Sequence, residues 1–418
     1  MIQSQISVRL TRQQWGVLCL LLVSVWINYI DRGNLSVAAP LLAPELNLTP
    51  VQMGLLLSSF FWTYAGLQFL GGWLVDRYSV SLVYGLGYLL WSFATLLTGI
   101  VDGFAMLLVF RLLLGAGESV AYPAYSKILA GSFAEHQRGL ANALVDVGTK
   151  AGPAVGTLLG GLLMARFGWR VFFLGIGFLS LLWLLPWWTW APRTSYLTIS
   201  AQGPGMLRIL GRREGWATFS GLFCFNYAFY FLLTWLPTYL VTERHFSMRM
   251  MAFFAALPFA VTAAASLVCG WLSDRWILAG ATPSRVRKGL LVSGMILCAL
   301  LLPVSAAAPH SVAMILLSVA FFGIGMVTSN IWAITQTLAG PTAAGQWTGL
   351  QNSIGNLGGV VAPIVTGWIV NQSGSFFLAF VAASVSLLLA AVVYGTWLGP
   401  VAPVLWEGNH KTAALVST

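Results

Sequence analysis

Charge is the scarcest property of this chain. Only 8% of its 418 residues are Asp, Glu, Lys or Arg, whereas a soluble domain carries about a quarter. That shortage, with 58% hydrophobic residues, excludes a surface solvated mainly by water and makes lipid the solvent. Cysteine and histidine are equally sparse. Cys19, Cys224, Cys269 and Cys298 lie in apolar runs without CxxC spacing, so they read as small buried hydrophobes, not disulfides or thiolate metal ligands. His136, His245, His310 and His410 fall in loops or the tail with no metal-ligand spacing. No Gly-x-x-x-x-Gly-Lys-Ser/Thr is present, so nucleotide hydrolysis is not expected to supply energy. Nothing indicates covalent chemistry, so the chain does not read as an enzyme and needs no cofactor. An ion gradient or passive facilitation remains.

What the chain has in abundance is apolar runs of membrane length. At about 20 residues per crossing, spans are predicted at 15–39, 51–75, 82–101, 104–131, 140–165 and 170–191. A second set follows at 215–241, 250–276, 289–308, 311–339, 344–370 and 375–399. Arg9 and Arg12 before the first run mimic a signal peptide, but the run continues into Asp31-Arg32 without a small-residue cleavage site. The expected fold is therefore all-α: twelve transmembrane helices in two six-helix bundles, 1–191 and 215–399. A cytoplasmic linker, 192–214, and a cytoplasmic tail, 400–418, complete it, with no room for an added soluble domain. Of the 21 basic residues, 14 fall in segments on the N-terminal side of the membrane and only Arg166, Arg170, Arg244 and Arg249 on the other. The positive-inside rule then places both termini in the cytoplasm. It also assigns the net charge of +10 to cytoplasmic loops, not to nucleic-acid binding.

The halves repeat. Gly72-x-x-x-Asp76-Arg77 ends span 2, and Gly270-x-x-x-Asp274-Arg275 ends span 8, 198 residues later. Gly115-Ala-Gly117 in span 4 is matched by Gly323-Ile-Gly325 in span 10, 208 residues later. Either motif alone is ordinary at a helix end. Together, at equivalent places, they indicate two parallel repeats around a midplane site, as in the major facilitator fold.

Six charged residues lie within the spans, all in the first half: Asp31, Arg32, Arg111, Glu118, Asp146 and Lys150. A charge near the bilayer centre costs roughly 2.5–3.5 kcal/mol, so such residues usually face a protein interior or a water-filled path. Asp31 and Arg32 project about 100° apart on a helix and need not pair with each other. Asp31 is about 24 Å along its span, which also admits a shallow interfacial position. Arg111 and Glu118 share one face two turns apart, either as a structural lattice or as a proton relay. Asp146 and Lys150 are spaced i,i+4 with the acid first, the better order for an intrahelical pair. Lys150 is near the midplane, either as a contact for an anion or as a structural partner of Asp146. The second half offers amides and hydroxyls instead. They include Asn226, Tyr227, Tyr230 and Tyr239 in span 7, Ser329, Asn330 and Gln336 in span 10, and Gln351, Asn352 and Asn356 in span 11. Such groups suit a hydroxylated ligand or hold helices together.

The run Asn28-Tyr29-Ile30-Asp31-Arg32-Gly33-Asn34-Leu35 resembles the first span of the sugar-acid carriers in the anion:cation symporter branch of the major facilitator superfamily. The branch includes bacterial aldonate, glucarate and hexuronate transporters, galactonate transporters, and the animal sialin and vesicular glutamate carriers. Arg111-x-x-x-Gly115-x-x-Glu118, Thr234-Trp235-Leu236-Pro237-x-Tyr239-Leu240 and the pair Trp332 and Asn352 carry the resemblance through the chain. It implies that Asp31 and Glu118 couple protons and that Arg32 clamps a carboxylate; Arg111, on the same helix face as Glu118, is expected to join the relay. Tyr64 would face the ligand, with Ser329, Trp332 and Asn352 opposite, while Tyr230 and Gln336 are further candidate contacts from the hydrogen-bonding groups of spans 7 and 10. Asp76 and Arg77, with Asp274 and Arg275, would form gating loops, although Ser79 and Val80 depart from the usual glycine and basic end of that motif. Lys150 stands where such carriers tend to have a neutral polar residue, which leaves room for a second carboxylate on the substrate.

The expected activity is proton-coupled import of a small organic anion, best a sugar acid (aldonate, aldarate or hexuronate), by rocker-switch alternating access. The expected partners are that anion, protons and the lipid bilayer. A monomer in a plasma membrane, the inner membrane of a bacterium, is expected. The rival is a proton antiporter exporting an anionic metabolite, siderophore or drug, which Arg111-x-x-x-Gly115 in span 4 and Gly148-x-x-x-Gly152-Pro153-x-x-Gly156 in span 5 also fit. A transporter-like receptor is a further alternative, disfavoured by the lack of a long tail or soluble domain to signal through.

Overall fold

A computed structural model describes residues 11–132, 135–191 and 204–404. Every regular element among the described residues is a helix, and eleven apolar stretches are long enough to cross a membrane. One of these, 151–190, is folded into two at Gly168, which gives twelve crossings.

Local chemistry sets the starts of the helices. α1 (Arg12–Glu45) opens on a reciprocal cap, in which Thr11 Oγ1 accepts from Gln14 N and Gln14 Oε1 accepts from Thr11 N. α2 (Pro50–Arg77) repeats the device with Thr49 and Gln52, and Pro50 supplies the preset φ of a first turn. α3 (Val80–Thr98) follows. Span 4, expected as one helix, divides into α4 (Phe104–Glu118) and α5 (Ala121–Ser132). The cause is Pro123, which has no N–H and whose ring would meet the carbonyl of Ser119 four residues back.

Spans 5 and 6 form one stretch, α6 (Glu135–Trp190), which reverses at Gly168 with φ +81°. Spans 10 and 11 likewise form α11 (His310–Ser373), reversing at Gly340 with φ +64°. Both are left-handed conformations that glycine adopts without strain. Between these lie the short α7 (Met206–Leu210), then α8 (Arg213–Thr242), α9 (Met248–Leu278) and α10 (Pro283–Ala307). The last helical elements among the described residues are α12 (Phe377–Val392) and a π turn, Val393–Trp397. Of the expected linker, 192–203 lie outside the described residues, as do 405–418 of the tail.

Within the first half α1 and α3 pack on α6, and α4 packs on α2 and α3; within the second, α8, α9 and α10 pack on α11, and α12 on α8 and α10. Contacts between the halves gather toward the α1–α2 end. Ser36 Oγ donates to the carbonyls of Leu233 and Thr234 at 2.9 and 2.8 Å, and Ser58 Oγ donates to Val360 O at 2.9 Å. Gly54 lies against the Pro363 carbonyl and Gly161 against Ala252.

The repeat extends further than its sequence motifs suggested. Arg77 lies over Trp73 at 5.6 Å and Arg275 over Trp271 at 5.3 Å, the same stacking in each half. Glu45, at the end of α1, accepts from Trp169 Nε1 and Arg170 Nε at the start of span 6. Glu243, 198 residues later, accepts from Phe376 N and Ser375 Oγ at the start of span 12. The glycine pairs repeat in kind but not in order. Gly115 faces α2 and Gly117 faces α3, whereas Gly323 faces α10 and Gly325 faces α9.

Candidate functional site

Asn28, Asp31 and Asn34 recur every three residues on α1, so they share a face, and each is 2% exposed or less. Asn34 Nδ2 donates to Asp31 Oδ1 at 3.1 Å. The neighbours of this carboxylate are Thr95 of α3 and, on α4, Arg111 and Glu118. Asp31 therefore points into the interior of the first half.

Arg32 turns onto the next face. Its Nε donates to Glu118 Oε2 at 2.9 Å, with Glu118 fully buried and Arg32 nearly so. Its guanidinium carbon lies 4.4 Å from the ring centre of Tyr64, 4.9 Å from Tyr29 and 5.2 Å from Phe60. Three aromatic faces favour a cation here and exclude water. Phe60 also carries Arg111, whose guanidinium carbon is 5.4 Å from the same ring, while Arg111 Nε donates to Leu56 O at 3.4 Å. Two acids and two bases thus share one buried group with no net charge. Glu118, expected to face Arg111, makes its direct ion pair with Arg32 across the helix interface. Glu118 Oε1, Arg32 Nη2 and Asp31 Oδ2 are buried without a hydrogen-bond partner.

Helix packing fixes the spacing of this group. A Cβ on Gly115 would stand 2.2 Å from Phe60 O and 2.4 Å from Thr63 Oγ1. Only glycine lets α4 approach α2 closely enough to bring Glu118 to Arg32. The break after Glu118 sends α5 off so that Tyr122 meets Tyr29, with their hydroxyls 2.8 Å apart.

The second half meets the group through Tyr230. Its ring lies edge-on to Phe61 at 4.5 Å, and its hydroxyl donates to Asn356 Oδ1 at 2.7 Å. Of the residues expected from sequence, the structure therefore assembles Asp31, Arg32, Tyr64, Arg111, Glu118 and Tyr230. Ser329 sits apart, bonded to Met326 O and Asn330 Nδ2 and packed near Gly270. Trp332 is half-buried against the core of the second half, Asn352 is half-buried, and Gln336 is exposed. None of these four makes a hydrogen bond to or a ring contact with the Arg32 group among the described contacts. Asp274 pairs with Arg287 at 3.8 Å. The side chains of Asp76, Asp146 and Lys150 lie outside the described residues.

Sequence reasoning missed Tyr29, Phe60 and Tyr122 as site residues, and named Asn356 only among the amides of span 11 that suit a hydroxylated ligand or hold helices together. Spacing held a signal for three of them. Tyr29 precedes Arg32 by three, Phe60 precedes Tyr64 by four, and Asn356 follows Asn352 by four, all same-face separations.

The profile of the Major Facilitator Superfamily matches residues 21–363. SauU of Cupriavidus necator, named as a probable sulfoacetate transporter, is 31% identical over 399 residues, 90% of this chain and 91% of its own. A hexuronate transporter of Bacillus subtilis is 29% identical over 410 residues, covering 94% and 96%. Among solved structures, a bacterial homologue of the human lysosomal transporter Spinster, inward-facing and occupied, superposes with a TM-score of 0.81. It is 19% identical, covers 93% of this chain and 97% of that one, and shares the fold.

Proposed function

The chain belongs to the major facilitator superfamily, a family of transporters, and from that premise we propose that it imports a small organic anion together with protons. The substrate class is a sugar acid. The observation that carries this reading is Arg32, a guanidinium held by three aromatic rings and neutralised by one buried carboxylate, Glu118. With Glu118 ionised, the four buried charges sum to zero and an anion gains little. A proton on Glu118 leaves the group with one net positive charge and frees the Nε edge of Arg32 beside the unpartnered Nη2. A substrate carboxylate then takes a two-pronged, charge-assisted contact there. Release of the proton restores the Arg32–Glu118 pair and expels the carboxylate. Arg111, within electrostatic reach of both Asp31 and Glu118, links Asp31 to the same cycle as a second proton site. Tyr230 and Asn356 present a hydroxyl and an amide to the hydroxyls of the sugar.

The relatives support this reading, since hexuronate carries a carboxylate and sulfoacetate carries a carboxylate and a sulfonate. In this reading 1–191 and 215–399 are two six-helix bundles joined by 192–214, working as a monomer with both termini and the 400–418 tail in the cytoplasm. The α1–α2 end is then extracellular, and its contacts close the outward path while the bundles rock about the site. Trp332, Asn352, Ser329 and Gln336 reach the ligand only in another stage of that motion. Asp76, Arg77, Asp274 and Arg275 act at the cytoplasmic ends of spans 2 and 8, and Lys150 takes a second carboxylate. The experiment is uptake of labelled hexuronate into proteoliposomes under an inward proton gradient. Accumulation is expected to collapse with a protonophore. Accumulation unchanged by protonophore would refute the coupling, and absence of uptake for every sugar acid tried would refute the substrate class.

A further inference from the structure

A groove of about 1060 Å³ runs between the outer halves of α9 and α11, remote from the Arg32 group. Its walls are apolar, with Phe254, Leu257 and Val261 on one side and Met314, Ile315 and Phe322 on the other. The helices splay at their starts and converge where Thr262 Oγ1 donates to Phe321 O at 2.9 Å and Gly325 meets Ala265. From Met250 to Val261 the groove runs about 16 Å along the helix, roughly half the 30 Å hydrocarbon thickness. Its depth is thus that of one leaflet.

Its mouth has a different chemistry. Arg244, His245 and His310 line it, with no acidic residue. The Arg244 guanidinium donates to the Tyr239 hydroxyl and to the carbonyls of Ser305, Ala306 and Ala308, all neutral oxygens. Those four bonds use four of its five N–H groups, so its full charge and one Nη1 hydrogen remain. The adjacent Glu243 is turned away and bonded to Ser375 and Phe376. His245 is exposed at the rim with φ +55°.

We propose that this groove is a binding site for an anionic phospholipid of one leaflet, the outer one in the orientation given above. The phosphate sits at the Arg244, His245 and His310 mouth, and an acyl chain lies in the groove. Charge complementarity at the mouth and the one-leaflet depth select this occupant over a neutral lipid or a soluble anion. The site is on a helix that joins the two halves, since Ala252 of α9 packs against Gly161 of α6.

The test is native mass spectrometry of the full-length protein, delipidated in detergent and offered phosphatidylglycerol, chain-matched phosphatidylcholine or glycerol 3-phosphate. Phosphatidylglycerol is expected to be retained about fivefold over phosphatidylcholine for each effective charge, the worth of roughly 1 kcal/mol per basic group near a membrane surface. His245→Glu, at an exposed position, is expected to bring the two lipids to parity. Ser318→Trp, which fills the groove, is expected to remove both, and glycerol 3-phosphate alone is expected not to bind. Equal retention of both lipids by the unaltered protein overturns the proposal, and that comparison needs no variant to fold. So does a phosphatidylglycerol preference that survives both substitutions, or glycerol 3-phosphate binding as well as the lipid.

Discussion

Arg32 is held by side chains from three helices: Tyr29 on its own, Phe60 and Tyr64 on α2, and Glu118 on α4. Glu118→Gln keeps an oxygen that accepts from Arg32 Nε but can no longer take up a proton. The variant is expected to retain substrate exchange at equilibrium and to lose accumulation driven by a proton gradient, measured in the same liposomes. The sign of the pH effect follows from the pair. Protonating Glu118 releases Arg32, so anion affinity in the unaltered protein should rise as pH falls, and the variant should lose that rise and keep only the smaller dependence that Asp31 supplies. Normal accumulation by the variant would remove Glu118 from the coupling step. Arg32→Lys keeps the charge but loses the planar fork that stacks on Tyr64 and reaches Glu118. Its affinity for substrate, read by calorimetry, should fall at least about tenfold, the worth of one charge-assisted hydrogen bond. Asp31, Arg32 and Glu118 were legible in the sequence because a charge in an apolar run is costly and therefore conspicuous. Tyr29, Phe60 and Tyr122 were not, because an aromatic in a membrane helix is ordinary packing until a cation is found over it.

Between elements, close approach does the positioning. The carbonyl of Phe60 and the hydroxyl of Thr63 occupy the space that any side chain at Gly115 would need. Gly115→Ala should therefore push α2 from α4, destabilise the protein by about 1–3 kcal/mol as overpacking does, and loosen the ring cage around Arg32. Gly66→Ala, where an added Cβ meets nothing within 4 Å, is the control. Thermal unfolding followed by tryptophan fluorescence, with and without substrate, should show both stability and ligand stabilisation lowered in the first variant and unchanged in the second. Equal behaviour of the two would mean that α4 does not set the cage. The apolar run from 104 to 131 announced a crossing, and Pro123 carried the signal for its break. What the sequence could not announce is that the break would aim Tyr122 at Tyr29, because that depends on where α1 lies. The Glu45 and Glu243 correspondence was hidden for a similar reason. A glutamate at a helix end is commonplace, and its meaning comes from partners in spans 6 and 12.

At the scale of the whole molecule, hydropathy and the placement of Lys and Arg foretold the crossings, but both ends of a rocking carrier satisfy the same pattern. Which end is closed is a property of packing, here Ser36 on the Leu233 and Thr234 carbonyls, Ser58 on Val360 and Gly161 on Ala252. If the halves alternate around the Arg32 group, this seam must part in every cycle. The pair Gly161→Cys and Ala252→Cys tests that requirement. A Cβ on Gly161 would stand 2.6 Å from Ala252 Cβ, and a disulfide needs about 3.8 Å, so a separation of roughly 1 Å lets the bond form in the closed arrangement. Oxidation should stop uptake into liposomes, and reduction should restore it. Binding of substrate to oxidised protein in detergent should persist, because alternating access with this seam shut leaves the site to be reached from the other end. The single-cysteine variants, which keep Cys19, Cys224, Cys269 and Cys298, should be indifferent to oxidant. Transport at the unaltered rate by fully cross-linked protein would show that the seam stays shut through the cycle. The halves would then not rock about Arg32, and coupling would need a path that never opens at the α1–α2 end.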